Sequence, residues 1–324
     1  MSAAFLVFGG RSHPNNHQRP AWDRYEAAVM LVVRDNVVVD RMEYRGWELD
    51  REVGLSVCFR AATIIDNHAY TCTSTQVLKI DLRTLSVVKS YTHRLFNDLH
   101  HVERIRGRYF VAGTGVDSVL EYNDQFELIH RHPIAEDEVI SRYGAEADFR
   151  RIPTTKPHQA HPNYVAEWGG EIWATNFEAG RVESLSSKRR HHVSDNRIHD
   201  GVVARDRVWF TSVNGGVIKM DPRDGTTVAF DLAPMTPTDR RLGWCRGIAP
   251  LGDTDVLVGF SKLRETKLRE NLKWIGNKFL NRDFELCEHT RVARYDLARG
   301  VETWRLDLED HSMDAVYSIH ALDR

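Results

Sequence analysis

The sequence predicts an all-β fold, a six-bladed β-propeller formed by one domain over residues 1–324. Two observations carry this prediction. Short strand-like runs recur with a spacing of roughly 35 to 50 residues, which is typical of propeller blades. The two ends of the chain also carry complementary parts of one further blade. Pairing them would close the ring without leaving exposed sheet edges.

The third strand of each blade is the clearest marker of the repeat. It alternates apolar and polar residues and in most cases runs into an Asp or Asn that favours a turn. It is predicted at residues 77–81, 119–123, 182–185, 217–221 and 292–296.

The other strands of these five blades surround the marker. First strands are predicted at 58–65, 100–105, 163–168, 201–204 and 246–250. Second strands, rich in aromatic and β-branched residues, are predicted at 69–73, 108–112, 171–175, 207–211 and 255–259. Fourth strands are predicted at 86–93, 126–132, 189–193, 226–232 and 301–308.

The ends of the chain supply the sixth blade. Residues 314–322 resemble an inner strand with no outer strands after it, whereas 5–8, 28–34 and 37–44 resemble outer strands with no inner strand before them. We therefore expect the N-terminal and C-terminal strands to pair.

Three segments interrupt the repeat, at residues 11–25, 136–157 and 263–289. The apolar spacing in the last one predicts an amphipathic helix inserted in the fifth blade. Long insertions are often lids or binding loops, but a surface helix packed on the blade is an equally good interpretation.

Composition excludes several classes of function. A formal net charge of −2 argues against a nucleic-acid partner. No run of 18 apolar residues predicts a membrane span. The four cysteines form no C-x-x-C pair, so a disulfide framework or a structural zinc site is not expected, and a cytoplasmic location fits best. The oligomeric state cannot be inferred from the sequence.

Histidines near the starts of inner strands are the candidate metal ligands. His101, His161, His199 and His320 belong to four different predicted blades and would approach one another if the ring closes. Neutral imidazole is a common ligand of iron and zinc, so we predict a divalent transition metal with an open position. The alternative is that these histidines are hydrogen-bonded wall residues. Strand alternation predicts that only one of His100 and His101 faces the channel.

Arg60, Asp200 and Arg246 are the candidate catalytic residues. A buried guanidinium requires an anion, so the two arginines would bind the carboxylate or phosphate of a substrate, or else form ion pairs with Asp98, Asp200 or Asp314. Asp200, next to a histidine, would act as a general base or orient that histidine, or it would cap a turn.

Residues 243–249, Gly-Trp-Cys-Arg-Gly-Ile-Ala, and 258–265, Val-Gly-Phe-Ser-Lys-Leu-Arg-Glu, are similar to a phrase found in an uncharacterised bacterial family of six-bladed propellers. More distantly, the pattern resembles propellers of the NHL, gluconolactonase and virginiamycin-lyase type. These resemblances imply the fold and a bacterial source but no activity. Gluconolactonases are expected to bind a divalent ion through Glu, Asn and Asp, and histidines occupy the corresponding strands here.

The sequence therefore predicts a metal-dependent enzyme acting on a small polar or anionic metabolite in the central channel. Lyase, hydrolase and oxygenase chemistry all remain open. The alternative function is a non-catalytic propeller that binds a protein or carbohydrate through the insertions at 136–157 and 263–289.

Overall fold

A computed structural model describes residues 4–136, 138–263 and 287–322. These residues form six four-stranded antiparallel sheets, the blades of a β-propeller, which confirms the predicted fold. No helix among the described residues is long and apolar enough to span a membrane.

The chain contributes its strands in order around the ring. The first three are β1 (Ala4–Ser12), β2 (Tyr25–Arg34) and β3 (Val37–Tyr44). Blade 1 contains β4 (Ala62–Ile65), β5 (His68–Cys72), β6 (Val77–Asp81) and β7 (Ser86–Tyr91). Blade 2 contains β8 (Leu99–Ile105), β9 (Arg108–Gly113), β10 (Ser118–Tyr122) and β11 (Leu128–Pro133). Blade 3 contains β12 (Val165–Trp168), β13 (Glu171–Asn176), β14 (Arg181–Ser184) and β15 (Arg190–His192).

The remaining strands complete the ring. Blade 4 contains β16 (Ile198–Ala204), β17 (Arg207–Ser212), β18 (Gly216–Met220) and β19 (Thr227–Asp231). Blade 5 contains β20 (Trp244–Pro250), β21 (Asp255–Ser261), β22 (Arg291–Asp296) and β23 (Val301–Asp307). Blade 6 combines β24 (Ala315–Leu322) with β1, β2 and β3. The described α-helices are α1 (Glu48–Val53) and α2 (Glu138–Tyr143), each a single short segment between strands.

Pairing of the chain ends closes the ring, as the sequence predicts. Strand β24 runs antiparallel to β1, with Leu6 opposite His320 and Phe8 opposite Ser318. Phe5 to Phe8 are all buried. This pairing makes β24 the innermost strand of blade 6 and leaves β3 outermost.

Burial differs between the inner and outer strands of a blade. Every residue of β10 is buried, because neighbouring blades pack against both faces of the sheet. The outermost strand β7 is exposed along most of its length. The predicted half-buried marker strand is therefore more deeply buried than its apolar–polar alternation suggests, and polar residues such as Glu121 are buried beside ionic partners.

Two of the three predicted insertions can be compared with the structure. Residues 136–157 contain α2 and a short 3-10 helix at Phe149–Arg151, and they pack against the start of blade 2. There the side-chain amide of Asn97 donates to the carbonyl oxygens of Phe149 and Ile152, at 2.8 and 2.7 Å. Residues 11–25 are mostly loop, although β1 extends to Ser12. The helix predicted within 263–289 lies outside the described residues.

Inner strands of four blades contain a β-bulge at a similar level. Pairing with the neighbouring strand shifts between Leu99 and His101, between Ile198 and Gly201, and between Arg246 and Ile248. A fourth shift, between Phe8 and Gly9 in β1, leaves Tyr317 of β24 unpaired. A bulge interrupts the regular alternation of side chains. Consecutive residues at these positions therefore both reach the region around the channel.

Candidate functional site

The beginnings of the inner strands bring six polar or aromatic side chains together. We call this group the arginine–histidine end of the channel. Its members are Arg60, His100, His161, His199, Arg246 and Tyr317. Each comes from a different blade, and each lies just before or within the first residues of its inner strand. The local cause is the bulged start of several of these strands, which turns residues out of the regular ladder.

Three imidazoles form the centre of this group. The ring centroid of His100 lies 5.0 Å from that of His161 and 5.7 Å from that of His199. Nδ1 of His100 lies 2.9 Å from the carbonyl oxygen of Asp98 and 2.9 Å from the hydroxyl of Thr114. Because the Thr114 hydroxyl donates its own proton to the carbonyl of Pro162, these contacts assign the His100 proton to Nδ1. The lone pair of His100 is then on Nε2.

The loop that carries His161 is anchored by a residue that the sequence did not single out. The Asp117 carboxylate accepts from the backbone N–H of Gln159, Ala160 and His161, at 2.7, 3.1 and 2.7 Å. His161 itself has a left-handed backbone with φ of 53°, and its ring stacks on Phe177 at 4.6 Å between centroids. Asp117 therefore holds the imidazole of His161 in place through the backbone.

The two arginines share one aromatic partner. The guanidinium carbon of Arg60 lies 4.5 Å from the ring centroid of Tyr317, and that of Arg246 lies 4.6 Å from it. Arg60 also pairs with Asp98, at 3.2 Å, which is one of the ion pairs that the sequence left open. Arg246 makes no ion pair within the described part of the chain, and its guanidinium also lies over Trp244.

Several buried nitrogens in this group lack a hydrogen-bond partner among the described residues. They are Nε of Arg60, Nε of Arg246 and Nδ1 of His199. Leaving a buried polar group unpaired costs about 1 to 3 kcal/mol, so such groups are rare unless water or a ligand satisfies them. Other such atoms, for example Nη2 of Arg291, lie elsewhere in the described residues, but three of them meet in this group, which favours a site that binds a polar molecule.

Burial and the arginine charges set the protonation of the site. Burial lowers the pKa of His100 to about 3 and lowers the pKa of His161 and His199 well below the usual value. The charge of Arg246 lowers the pKa of His199 further. These three imidazoles are therefore neutral at neutral pH.

Asp98 is the acidic member of the surroundings. Burial raises the pKa of its carboxyl, but His100 and Arg60 lower it more strongly, so the carboxyl is ionised. Because His100 is neutral at neutral pH, the permanent charge of Arg60 carries this effect. The Asp98 carboxylate pairs with Arg60, and the guanidinium group of Arg246 has no ion-pair partner in the described residues, so an anion would balance its charge.

The other predicted site residues lie in a second place. His101, Asp200 and His320 line a cavity of about 660 Å³, which we call the acidic cavity and whose lining also includes Thr63, Glu103 and Tyr164. Nδ1 of His101 accepts from the backbone N–H of Val165 at 3.2 Å, and Nε2 of His320 lies 3.1 Å from the Ser318 hydroxyl. These two histidines are thus hydrogen-bonded wall residues, which was the alternative interpretation of the sequence.

Asp200 lies in the wall of this cavity, next to the backbone of the neighbouring inner strand. The backbone N–H groups of Gly201, Gly247 and Ile248, the last two on the neighbouring inner strand, lie near its carboxyl and lower its pKa. Burial nevertheless raises its pKa to about 7. Asp200 forms no ion pair with either predicted arginine in the described residues, so it does not belong to the arginine–histidine end.

The structure therefore divides the predicted ligand set. His161 and His199 lie with His100, whereas His101 and His320 lie in the acidic cavity. The alternation of side chains that would allow only one of His100 and His101 to face the channel does not hold, because a bulge separates them. The described residues contain no group of three or more His, Cys, Asp or Glu side chains arranged to hold a metal ion. Metal binding stays a prediction.

Comparisons with known proteins support the fold alone. No family model matches the chain, and no curated protein shows a significant match, so the resemblance to the uncharacterised bacterial family stays a prediction. A crystal structure of a Bacteroides caccae protein of unknown function is similar over 99% of this chain and 100% of that chain, with a TM-score of 0.62 and 11% identity.

Two further solved structures are similar. A nidogen/laminin complex structure has a TM-score of 0.57 at 8% identity, covering 98% of both chains. A streptogramin B lyase structure has a TM-score of 0.44 at 12% identity, covering 63% of this chain and 65% of that chain. The Bacteroides caccae and nidogen/laminin structures, at these identities, share the fold of this chain and say nothing of its function.

Proposed function

We propose that this protein is an enzyme that binds a small anionic metabolite at the arginine–histidine end of the channel. The observation that carries the proposal is Arg246. Its guanidinium lies on the ring of Tyr317, has a buried Nε without a partner and makes no ion pair in the described residues. A cation in that setting is stabilised by an incoming carboxylate or phosphate, which guanidinium binds through two parallel hydrogen bonds.

Arg60 complements Arg246 in this role. Asp98 holds Arg60 by one nitrogen, Nη2, while Nε of Arg60 is buried without a partner. Two guanidinium groups on one aromatic ring would repel each other without a neighbouring anion. Asp98 offsets part of that repulsion, and the substrate would offset the rest.

The imidazoles supply the reactive groups of the proposal. His100, His161 and His199 are neutral, so each can accept a proton or bind a metal ion through a free nitrogen lone pair. Binding an anion between the arginines would cancel part of the positive potential that lowers the pKa of His199. The pKa of His199 would rise toward neutrality in the complex, where a general base is most effective. Lyase and hydrolase reactions of a small acid both need such a base.

The alternative function, partner binding through the insertions, has less support. Residues 136–157 do not project freely from the propeller. They pack on blade 2 through Asn97 and bring His158 to the site, where its Nδ1 lies 3.4 Å from Nδ1 of His161. This insertion is better explained as a wall of the small-molecule site.

Calorimetric titration with inorganic phosphate and with malate tests the anion site. We expect both probes to bind, and we expect Arg246→Gln to weaken binding about tenfold or more, since a charge-assisted hydrogen bond contributes about 1.5 to 3 kcal/mol. Arg223→Gln is the matched control, because that side chain is 79% exposed and pairs with Asp221 on the outside of blade 4. Equal binding by wild type and Arg246→Gln would contradict the proposal.

Catalysis needs a separate readout. We expect the purified protein, incubated with a mixture of small organic acids and phosphate esters, to consume one component as followed by mass spectrometry. His199→Ala should abolish the turnover and leave phosphate binding within about threefold of wild type, because the imidazole is neutral in the free site. Anion binding without turnover of any component would indicate a binding protein instead of an enzyme.

A further inference from the structure

The acidic cavity is separate from the arginine–histidine end, and its lining contains the carboxyl groups of Glu103, Glu167 and Asp200. It opens among the inner strands beyond their bulges, where β8 contributes Glu103 and β16 contributes Asp200. Its volume of about 660 Å³ is in the range that holds a small organic molecule. The acidic cavity and the arginine–histidine end therefore differ in chemistry.

Two carboxyl groups in the cavity lack a cationic partner. Neither Glu103 nor Asp200 forms an ion pair with any residue in the described ranges. Glu103 accepts from the backbone N–H of Arg104 at 2.9 Å and lies 3.1 Å from the Thr63 hydroxyl. Both contacts are to uncharged donors, so neither supplies a balancing charge, and burial raises the pKa of Glu103 to about 7. A bound cation would favour the ionised carboxylate and lower that pKa.

The nearby basic side chains are engaged elsewhere. The Arg104 guanidinium lies 5.8 Å from the ring centroid of Tyr109, and Arg106 pairs with Glu167. His101 and His320 are neutral, since burial lowers their pKa values to about 3 and about 4. Arg104 and Arg106 thus line the cavity themselves, but neither forms an ion pair with Glu103 or Asp200 in the described residues.

Apolar and aromatic surface accompanies the carboxyl groups. The ring of Tyr164 packs against that of His101, with centroids 4.8 Å apart, and Ile248 and Ala166 complete an apolar wall. Aromatic rings attract cations, and apolar walls bury alkyl groups. A metal ion fits less well, because the third carboxylate of the lining, Glu167, pairs with Arg106, and the described residues contain no group of three or more His, Cys, Asp or Glu side chains arranged to hold a metal ion.

From this combination we propose that the acidic cavity is a second binding site, specific for a small organic ammonium ion. Glu103 would pair with the ammonium group, and Tyr164 with Ile248 would contact the alkyl part. Asp200 adds a second carboxyl group without an ion-pair partner in the described residues to the wall of the cavity. The proposal does not depend on the anion site at the other end of the channel.

Calorimetric titration with n-butylamine, and with 1-butanol as the uncharged isostere, tests this proposal. We expect butylamine to bind and butanol to bind at least about tenfold more weakly, because only the amine forms a charge-assisted contact. Glu103→Gln keeps the size and the hydrogen bonds of the side chain and should weaken butylamine binding about tenfold or more. Glu146→Gln is the control, since that carboxylate is 93% exposed.

A second variant tests the location without removing a charge. Ala321 lines the cavity and is exposed, so Ala321→Trp should fold normally and fill the cavity. We expect this variant to lose butylamine binding and to bind phosphate as the wild type does. Arg246→Gln should do the reverse, which separates failure of this proposal from failure of the anion site. The proposal is overturned if butanol binds as tightly as butylamine, if no amine binding is seen, or if Glu103→Gln and Ala321→Trp bind butylamine normally.

Discussion

Asp117 offers a sharp test of how the site is built. Its carboxylate accepts three backbone N–H groups, two on Oδ1 from Ala160 and His161 and one on Oδ2 from Gln159. Asp117→Ala removes all three acceptors. Asp117→Asn retains an oxygen that can serve Ala160 and His161 but places an NH₂ group against the N–H of Gln159. Both Asp and Asn tolerate the left-handed backbone of this position, φ 44°, so the Asn variant isolates the hydrogen bonds.

The expected magnitudes follow from these contacts. A hydrogen bond to a charged group contributes about 1.5 to 3 kcal/mol, and partial exposure of the Gln159 and His161 amides lets water replace some of it. We expect Asp117→Asn to lower the free energy of unfolding by about 2 kcal/mol and Asp117→Ala by about 4 kcal/mol. For 324 residues the unfolding entropy is about 0.7 kcal/mol/K, so the melting temperature should fall by about 3 °C and about 6 °C.

Scanning calorimetry of the wild type and both variants measures these shifts. Circular dichroism in urea supplies an independent value from the transition midpoint. The order wild type, Asn, Ala is the important result. Equal destabilisation by the two variants, or none by either, would refute the view that the carboxylate supports the His161 loop through separate backbone contacts.

The pH dependence of stability and the metal content give two further predictions. Burial lowers the pKa of His100 and His101 to about 3 and of His320 to about 4, so below pH 6.5 the unfolded chain binds protons that the folded chain excludes. The free energy of unfolding, measured from urea midpoints, should therefore fall as the pH is lowered from 6.5 to 4. His320→Gln should lower the slope of this free energy against pH by up to about 1.4 kcal/mol per pH unit. His192→Gln is the control and should leave the slope unchanged, because His192 is exposed. If the protein binds a metal, as the sequence predicts, we expect stoichiometric zinc or iron in protein purified without chelator or nickel resin. The double variant His161→Ala, His199→Ala should lose that metal. Substoichiometric metal that the double variant leaves unchanged would count against this prediction.

The fold was predictable because short strand-like runs recur at blade spacing along the whole chain. Strand alternation, turn residues and the complementary ends all indicate the same architecture, and the β24–β1 pairing follows from them. The helix predicted within 263–289 falls outside the described residues. The burial of the marker strands was predicted less accurately. Alternation within one strand suggests one exposed face, and it does not show that neighbouring blades cover both faces.

The candidate site was predictable in part. Arg60, His161, His199 and Arg246 are recognisable at inner-strand starts, because chemistry-bearing residues are unusual there. Their division from His101, Asp200 and His320 was not predictable, since a bulge shifts the register without a clear local signal in the sequence.

Three contributors to the site were missed. Tyr317 looks like an ordinary strand aromatic, and Thr114 and Asp117 lie in a turn between strands. The available hint was Asp117 two residues after Gly115 in Thr-Gly-Val-Asp, since Gly and Asp are both frequent in turns. Nothing in that turn indicates that its carboxylate would anchor a loop more than 40 residues later in the chain.

The bulges also decide how substitutions can act on the two ends of the channel. Where a strand alternates regularly, neighbouring residues face different blade surfaces, and the chemistry of one channel layer comes from every second position. Here His100 belongs to the arginine–histidine end and the next residue, His101, to the acidic cavity. Likewise His199 belongs to the arginine–histidine end and Asp200 to the acidic cavity. Adjacent codons thus control separate binding surfaces, so each end can change its ligand through point substitutions that leave the other intact. Deleting His100, by contrast, would remove the extra residue of the bulge in β8, so that one histidine would remain where the two sites now take one each.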